Sequence, residues 1–207
     1  MKAKKRPPAS LRQGYHHGDL RAALLLAAAQ LLEKDGAEAL SFRAIAREVG
    51  VSQTAPYNHF ESKEHLLATV AEEGFRSFTA LQRTASSARS PRHRLHALGR
   101  AYVAFACAHP QLYRLMFGVG LPDWKGYPSL VEAAEQSCLP VQQALADIAA
   151  AAKPATKPAH AAWIATWAMV HGLASLLIDG KLDGSEIGRQ GDRIIGWYAD
   201  LLLFDER

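Results

Sequence analysis

Apolar residues recur at helical spacing along most of this 207-residue chain, and no sustained period-two alternation and no internal repeat interrupts them. The first amphipathic stretch predicts a helix from about Gly18 to Lys34. Asp19 suits its positive end, and Gly36 stops it. Phe42, Ile45, Ala46 and Val49 follow at helical spacing and predict a short second helix. Gly50 stands where a tight helix-ending turn needs positive φ. Val51 is placed to plug the space between two helices, and Ser52 is a good N-cap for a third, short helix ending in Tyr57, Asn58, His59 and Phe60.

Further along, Ser62 is expected to cap a long helix through roughly Ser86, with Glu64 in its first turn. Ser90-Pro91 starts another, with proline at the first helical position, and it reads to about His109. Pro110 breaks it, and QLYRLMFG reads as a short amphipathic helix. Residues 118–128 are rich in Gly and Pro and predict a loop. A helix from about Ser129 to Ala152 carries Pro140, where a kink is expected. KPATKP is a turn or linker. Pro158 opens a strongly apolar helix that ends near Asp179-Gly180, DGS is a second turn, and a last helix runs to about Phe204. The expected fold class is therefore all-α, with about nine helices.

Composition agrees with this. The chain is rich in Ala and Leu, and 49% of its residues are hydrophobic, enough for a packed core. The net charge of +4 is unevenly placed. Residues 1–63 hold ten Lys/Arg against six Asp/Glu, and the remainder balances to zero. Residues 1–13 carry Lys2, Lys4, Lys5, Arg6 and Arg12 with no acid, and Pro7 and Pro8 argue against helix. They read as a disordered basic arm, either a solvated tail or one that lies along phosphates or in a minor groove. Two cysteines, Cys107 and Cys138, give neither metal spacing nor a disulfide framework, and read as small apolar residues in helices. His16 and His17 are adjacent and point apart, so no metal site is expected there; nor is any cofactor. The apolar stretch Leu20–Leu32 is interrupted by Arg21 and Gln30, has no small-residue cleavage site after it, and is too short to span a bilayer. A cytoplasmic protein is the simpler expectation.

Residues 41–63, SFRAIAREVGVSQTAPYNHFESK, read as a helix-turn-helix, a unit whose short second helix a major groove can admit. The run S-F-R-A-I-A-R-E-V-G-V-S followed by Y-N-H-F-E-S-K-E-H-L-L resembles the DNA-binding domain of the TetR family of bacterial regulators. The upstream segment GDLRAALLLAAAQLLEKDGAEALSF resembles the family's first helix and its turn. The resemblance is strong over residues 14–70 and implies three parts: a basic arm (1–13), a helix-turn-helix domain (14–62), and a C-terminal effector-binding and dimerisation domain (63–207). It also implies no enzymatic activity, and no nucleophile–base pair, paired carboxylates or phosphate-binding loop argues otherwise.

Ser52, Gln53, Thr54, Ala55, Tyr57, Asn58 and His59 form the candidate reading surface. Gln and Asn can pair with adenine edges, and Thr or Ala methyls can touch thymine methyls. Tyr57, His59 and Lys63 resemble the family's phosphate-contacting positions, and Arg43 is a further phosphate candidate. Phe42, Ile45, Val49, Val51 and Phe60 are assigned to the core. Pro56 departs from many family members and is expected to alter which residues face the groove.

The segment HAAWIATWAMVHGLASLLIDG places Trp163, Trp167, Val170, His171 and Ala174 on one helical face, and Gly172 is expected to allow close approach of another helix. Its W-x-x-x-H-G pattern, with HPQLYRLMFG upstream, resembles a TetR subgroup named for a Trp-His-Gly motif. That resemblance implies a homodimer built on the last two helices, with Leu173, Leu176, Leu177, Ile194, Trp197, Tyr198 and Leu201 as apolar stripes, and a roughly palindromic operator. It also implies an effector cavity. Tyr102, Phe105, Tyr113, Met116, Phe117, Trp124, Trp163, Trp167 and His171 are its candidate lining, suited to an apolar or aromatic ligand; each is also read as ordinary core, His171 as a hydrogen-bonded core histidine. The implied function is a ligand-released repressor with no membrane partner. The alternative is a dimeric interaction or small-molecule-binding protein without ligand-regulated DNA binding.

Overall fold

A computed structural model describes residues 20–87, 90–118, 124–151, 159–182, 193, 195 and 196. These form seven α-helices and two short 3-10 turns, and no strand occurs among the described residues. The order is α1 (Leu20–Ala39), α2 (Phe42–Val49), a 3-10 turn (Ala55–Asn58), α3 (Lys63–Ala85), α4 (Pro91–Ala108), α5 (Pro110–Phe117), a second 3-10 turn (Trp124–Gly126), α6 (Pro128–Ala151) and α7 (Ala159–Ile178). The basic arm, the KPATKP linker and most of the expected last helix lie outside the described residues.

Local chemistry sets the boundaries. In α1, Gly36 leaves helical geometry (φ 80°, ψ 169°), so the regular helix stops there and one further turn reaches Ala39. Ser41 caps α2 by accepting from the Ala44 N–H at 3.2 Å. Gly50 closes α2 in the left-handed region (φ 77°), and the Val51 N–H returns to the Ala46 carbonyl at 2.9 Å. Ser62 and Ser90 cap α3 and α4 in the same way, accepting from the N–H groups of His65 and His93. Pro91 and Pro110 sit in the first turns of α4 and α5, where a missing N–H costs nothing. α6 continues through Pro140, which has no N–H to offer the preceding turn.

The long helix α3 is the spine. It packs on α1, α4, α5 and α6, while α7 packs on α4 and α6. One buried cluster runs from Leu24, Leu32, Ile45 and Phe60 at the N-terminal end, through Phe75 and Phe78 on α3, to Tyr102, Met116, Leu130 and Val170. A smaller cluster of Leu95, Leu98, Ala144, Leu145 and Ile148 joins α4 to α6. Two glycines set helix approach. A Cβ on Gly74 of α3 would lie 2.8 Å from Met116 Sδ, and one on Gly99 of α4 would lie 2.7 Å from Ile195 Cγ2. Gly172, expected from the sequence to fill this role, meets nothing within 4 Å in the protomer.

Candidate DNA-reading surface and ligand cavity

The reading head is a polar face on an apolar platform. Phe42, Ile45, Pro56 and Phe60 are buried beneath it, and Val49 and Val51 pack partly buried at its edge. Arg43, Ser52, Gln53, Thr54, Tyr57 and Asn58 are exposed, while Ala55, His59 and Lys63 are half-buried. Tyr57 is 63% exposed and its ring packs edge-on against Phe42 at 4.7 Å, so it is held at the surface by its base. Lys63 Nζ donates to the Glu38 carbonyl at 3.2 Å, which ties the start of α3 to the end of α1.

Two expectations need correction. Ser52 does not act as an N-cap; Thr54 holds that position without a side-chain bond, and the Ser52 and Thr54 hydroxyls pair at 3.1 Å. The second helix of the motif is a single 3-10 turn. Pro56 accounts for it, because its missing N–H removes the bond to the Ser52 carbonyl that an α turn would make. That carbonyl instead accepts from Ala55 N at 3.0 Å, and His59 N reaches the Pro56 carbonyl at 3.0 Å. A contact invisible to the sequence reading braces the head: the Arg21 guanidinium of α1 lies 5.4 Å from the Phe60 ring centroid.

A cavity of about 410 Å³ opens between α3, α4, α6 and α7. Of the residues expected to line it, Tyr102, Met116, Phe117, Trp124, Trp163 and Trp167 do so. Phe105, Tyr113 and His171 do not, because they are engaged behind its wall. The His171 Nδ1 lies 2.6 Å from the Tyr113 hydroxyl and 2.9 Å from the Tyr102 hydroxyl, and the two hydroxyls are 3.1 Å apart. His171 is thus a hydrogen-bonded histidine that joins α7 to α4 and α5. Gln82 and Cys138 also line the cavity, and neither belongs to the lining expected from the sequence. Gln82 follows Phe75 and Phe78 at seven- and four-residue steps, a signal of a shared face. Cys138 is half-buried, whereas Cys107 is exposed on α4 and so is not the interior residue its type suggested. Desolvation, only partial at Cys107, pushes both thiols up, away from the reactive thiolate.

Burial pushes Tyr102 well above the usual phenol range, reinforced by Tyr113, and Tyr113 rises with it. Burial lowers His171, favouring neutral imidazole. A depressed histidine pKa means that the unfolded chain binds the proton more readily. The stability that neutral His171 contributes is therefore present above about pH 6.5 and falls away as pH drops through that value. We expect the melting temperature to fall between pH 7.5 and pH 5.5, with a shallower slope in His171→Asn, which keeps an acceptor but does not titrate. Parallel pH–melting curves for the two proteins check this; identical slopes would remove His171 from the effect.

The outer side of α7 is apolar and uncovered. Ile164 and Leu176 are exposed there, with Ala165 and Ala168 between them, while Trp167 is part-exposed in the cavity wall. Leu177 is half-buried. Leu173, expected on the dimer stripe, is instead turned into the protomer's core with Val170 and Ala174. Ile194, Trp197, Tyr198 and Leu201 lie outside the described residues. The stretch His160–Ile178 is long and apolar enough to cross a membrane by length and composition. No group of three or more His, Cys, Asp or Glu among the described residues could hold a metal ion.

Residues 24–70 match the family described as bacterial regulatory proteins, tetR family, and residues 95–197 match the tetracyclin repressor-like C-terminal domain. A solved protein of unknown function from Rhodococcus sp. RHA1 is 36% identical, with a TM-score of 0.79 over 92% of this chain and 97% of that one. The TetR family transcriptional regulator PfmR from Thermus thermophilus shares the fold at 19% identity, with a TM-score of 0.65 over 89% and 98% of the two chains. The nucleoid occlusion factor SlmA of Aliivibrio fischeri (strain MJ11) is 33% identical over 102 residues, 47% of this chain and 51% of that protein. The chain thus spans about half the length of the curated relatives it matches. Its neighbours in fold include transcription regulators, and the chain itself belongs to the tetR family of bacterial regulatory proteins, with the fold of a DNA-binding transcription regulator.

Proposed function

We propose that the protein is a repressor that binds a palindromic operator as a homodimer and leaves it when a small molecule occupies the cavity. The observation that carries this reading is the reading head itself. Side chains with base-pairing chemistry, Gln53, Thr54 and Asn58, stand exposed on a turn anchored from below by buried Pro56 and Phe60. Arg43, Tyr57, His59 and Lys63 flank them as phosphate contacts, and the basic excess of residues 1–63 supplies a salt-dependent attraction to the duplex. The uncovered apolar side of α7 supports a twofold dimer, because a second copy of the same stripe would cover it. The cavity supports effector binding between the spine helix and the C-terminal helices. A ligand shifts DNA binding only by its difference in affinity for the two arrangements of the head.

Selection of bound sequences from a random DNA pool, at near-physiological salt, tests the reading. An enriched palindrome with half-sites about one helical turn apart is the expected result. Salt-sensitive binding without enrichment sinks it. On the selected site, Asn58→Ala is expected to lose about 1–3 kcal/mol of specific affinity and little non-specific affinity. Lys63→Ala is expected to weaken specific and non-specific DNA alike and to lower the salt slope by about one. Titrations at several salt concentrations separate the two patterns.

A further inference from the structure

We propose that the cavity selects a largely apolar, ring-bearing molecule that is not an anion and carries a hydrogen-bond donor for Gln82, and that it rejects a carboxylate of the same shape. The proposal rests on reading the cavity as the effector site. At about 410 Å³ it falls within the roughly 300–1,000 Å³ of small-molecule pockets. Rings, among them Phe75, Phe78, Phe117, Trp124 and Trp167, share its walls with aliphatic side chains such as Leu95, Leu98 and Val170. Trp163 and Trp167 lie parallel within 14° at 5.9 Å, a flat apolar face on α7.

Charge decides what such a site refuses. No Lys, Arg or His is found among the described lining residues, and the one carboxylate, Glu135, is exposed. A carboxylate or phosphate ligand would lose its water without gaining a counter-charge. A cation would meet ring faces and the exposed Glu135, so the discrimination is against anions.

Hydrogen bonding decides what it accepts. Most polar groups of the lining are already engaged. Ser137 Oγ donates to the Ala134 carbonyl and Thr166 Oγ1 to the Ala162 carbonyl, both at 2.7 Å, and the Tyr102 hydroxyl is shared with Tyr113 and His171. Gln82 differs. It is 1% exposed, and its Oε1 is buried without a hydrogen-bond partner. A buried amide oxygen left unpaired destabilises the protein that holds it, so a leucine there would serve the fold better. Gln82 borders the cavity, and a turn of its amide toward the lumen would bring that oxygen to a ligand donor.

Isothermal titration calorimetry at pH 7.5 with two probes of one shape tests this: naphthalene-2-carboxamide and 2-naphthoate. The amide is expected to bind about tenfold or more tightly than the carboxylate. Gln82→Leu is expected to weaken the amide about fivefold while leaving the parent hydrocarbon, naphthalene, unaffected, and to melt no lower than the unmodified protein. Gln82→Met serves the same comparison should the leucine variant fail to fold. Naphthoate matching the amide overturns the charge selection. Full amide affinity in the Gln82 variants overturns its role as the anchor, and no binding by any probe overturns the aromatic class. None of these titrations contains DNA. An intact amide preference beside a failed operator selection would therefore leave this proposal standing and sink the regulator reading, and the reverse result would do the opposite.

Discussion

Replacing Phe60 with alanine is expected to cost about 3–5 kcal/mol and to abolish DNA binding. Phe60 is 1% exposed at the end of the reading turn, with His65 edge-on at 6.0 Å and the Arg21 guanidinium over its ring. Its removal opens a cavity beneath a turn held by only a few 3-10 hydrogen bonds, which cannot collapse to fill it. For a domain with a total stability of about 5–15 kcal/mol, that loss is enough to leave the head disordered in part of the population. Tyr57→Ala provides the contrast. At 63% exposure, with one edge contact to Phe42, it is expected to cost under about 1 kcal/mol while still weakening DNA affinity. Urea unfolding of both variants alongside operator titration separates anchor from contact. A Phe60→Ala protein as stable as the parent would show that the platform does not depend on this ring.

Glu33→Ala carries the second large effect. Helix α5 begins at Pro110 after His109, which makes no side-chain cap, so its first amides need an outside acceptor. Glu33 of α1 provides it: its carboxylate accepts from Leu112 N at 2.9 Å and Gln111 N at 3.3 Å. Those charge-assisted bonds at the positive end of a helix dipole are worth about 1–3 kcal/mol. The same short helix carries Met116 and Phe117 into the cavity wall and packs Met116 against Gly74 of the spine. Loss of the cap is therefore expected to lower stability by about 1–3 kcal/mol and to weaken the effect of any cavity ligand on DNA affinity. Glu33→Gln, which keeps an acceptor but no charge, is expected to fall between. Melting curves and operator titrations with and without a ligand give both readouts. Unchanged ligand response in Glu33→Ala would remove α5 from the coupling.

Most of the helical framework was legible in the chain because its signals are local. Serines at 41, 62 and 90 are the observed caps, although Ser41 was not singled out. Gly36 ends the regular part of its helix and Gly50 takes the positive φ expected of it, and Pro91 opens a helix. A cap or a turn is decided by a few neighbouring residues, so its chemistry is written in sequence order. The exposed and buried positions of residues 41–63 were legible for the same reason, since they follow one short motif. Ser52 and Pro56 mark where this stopped. Both suit a helix start, but the proline's missing N–H changed which carbonyl accepts from which amide, and the turn came out as 3-10.

Tertiary structure alone decided whatever depends on residues far apart in the chain. Aromatic residues on α4, α5 and α7 looked equivalent in sequence, yet Tyr102 lines the cavity while Tyr113 and His171 close a hydrogen-bonded cluster behind it. Gly172 carried the conspicuous motif, but helices approach at Gly74 and Gly99. Glu33 reached across 78 positions to cap a helix, and Gln82 was left with a buried, unpaired oxygen beside a cavity. Periodicity tells which face of a helix is apolar. Which helix that face meets, and which polar atom is left without a partner, is settled only when the helices pack.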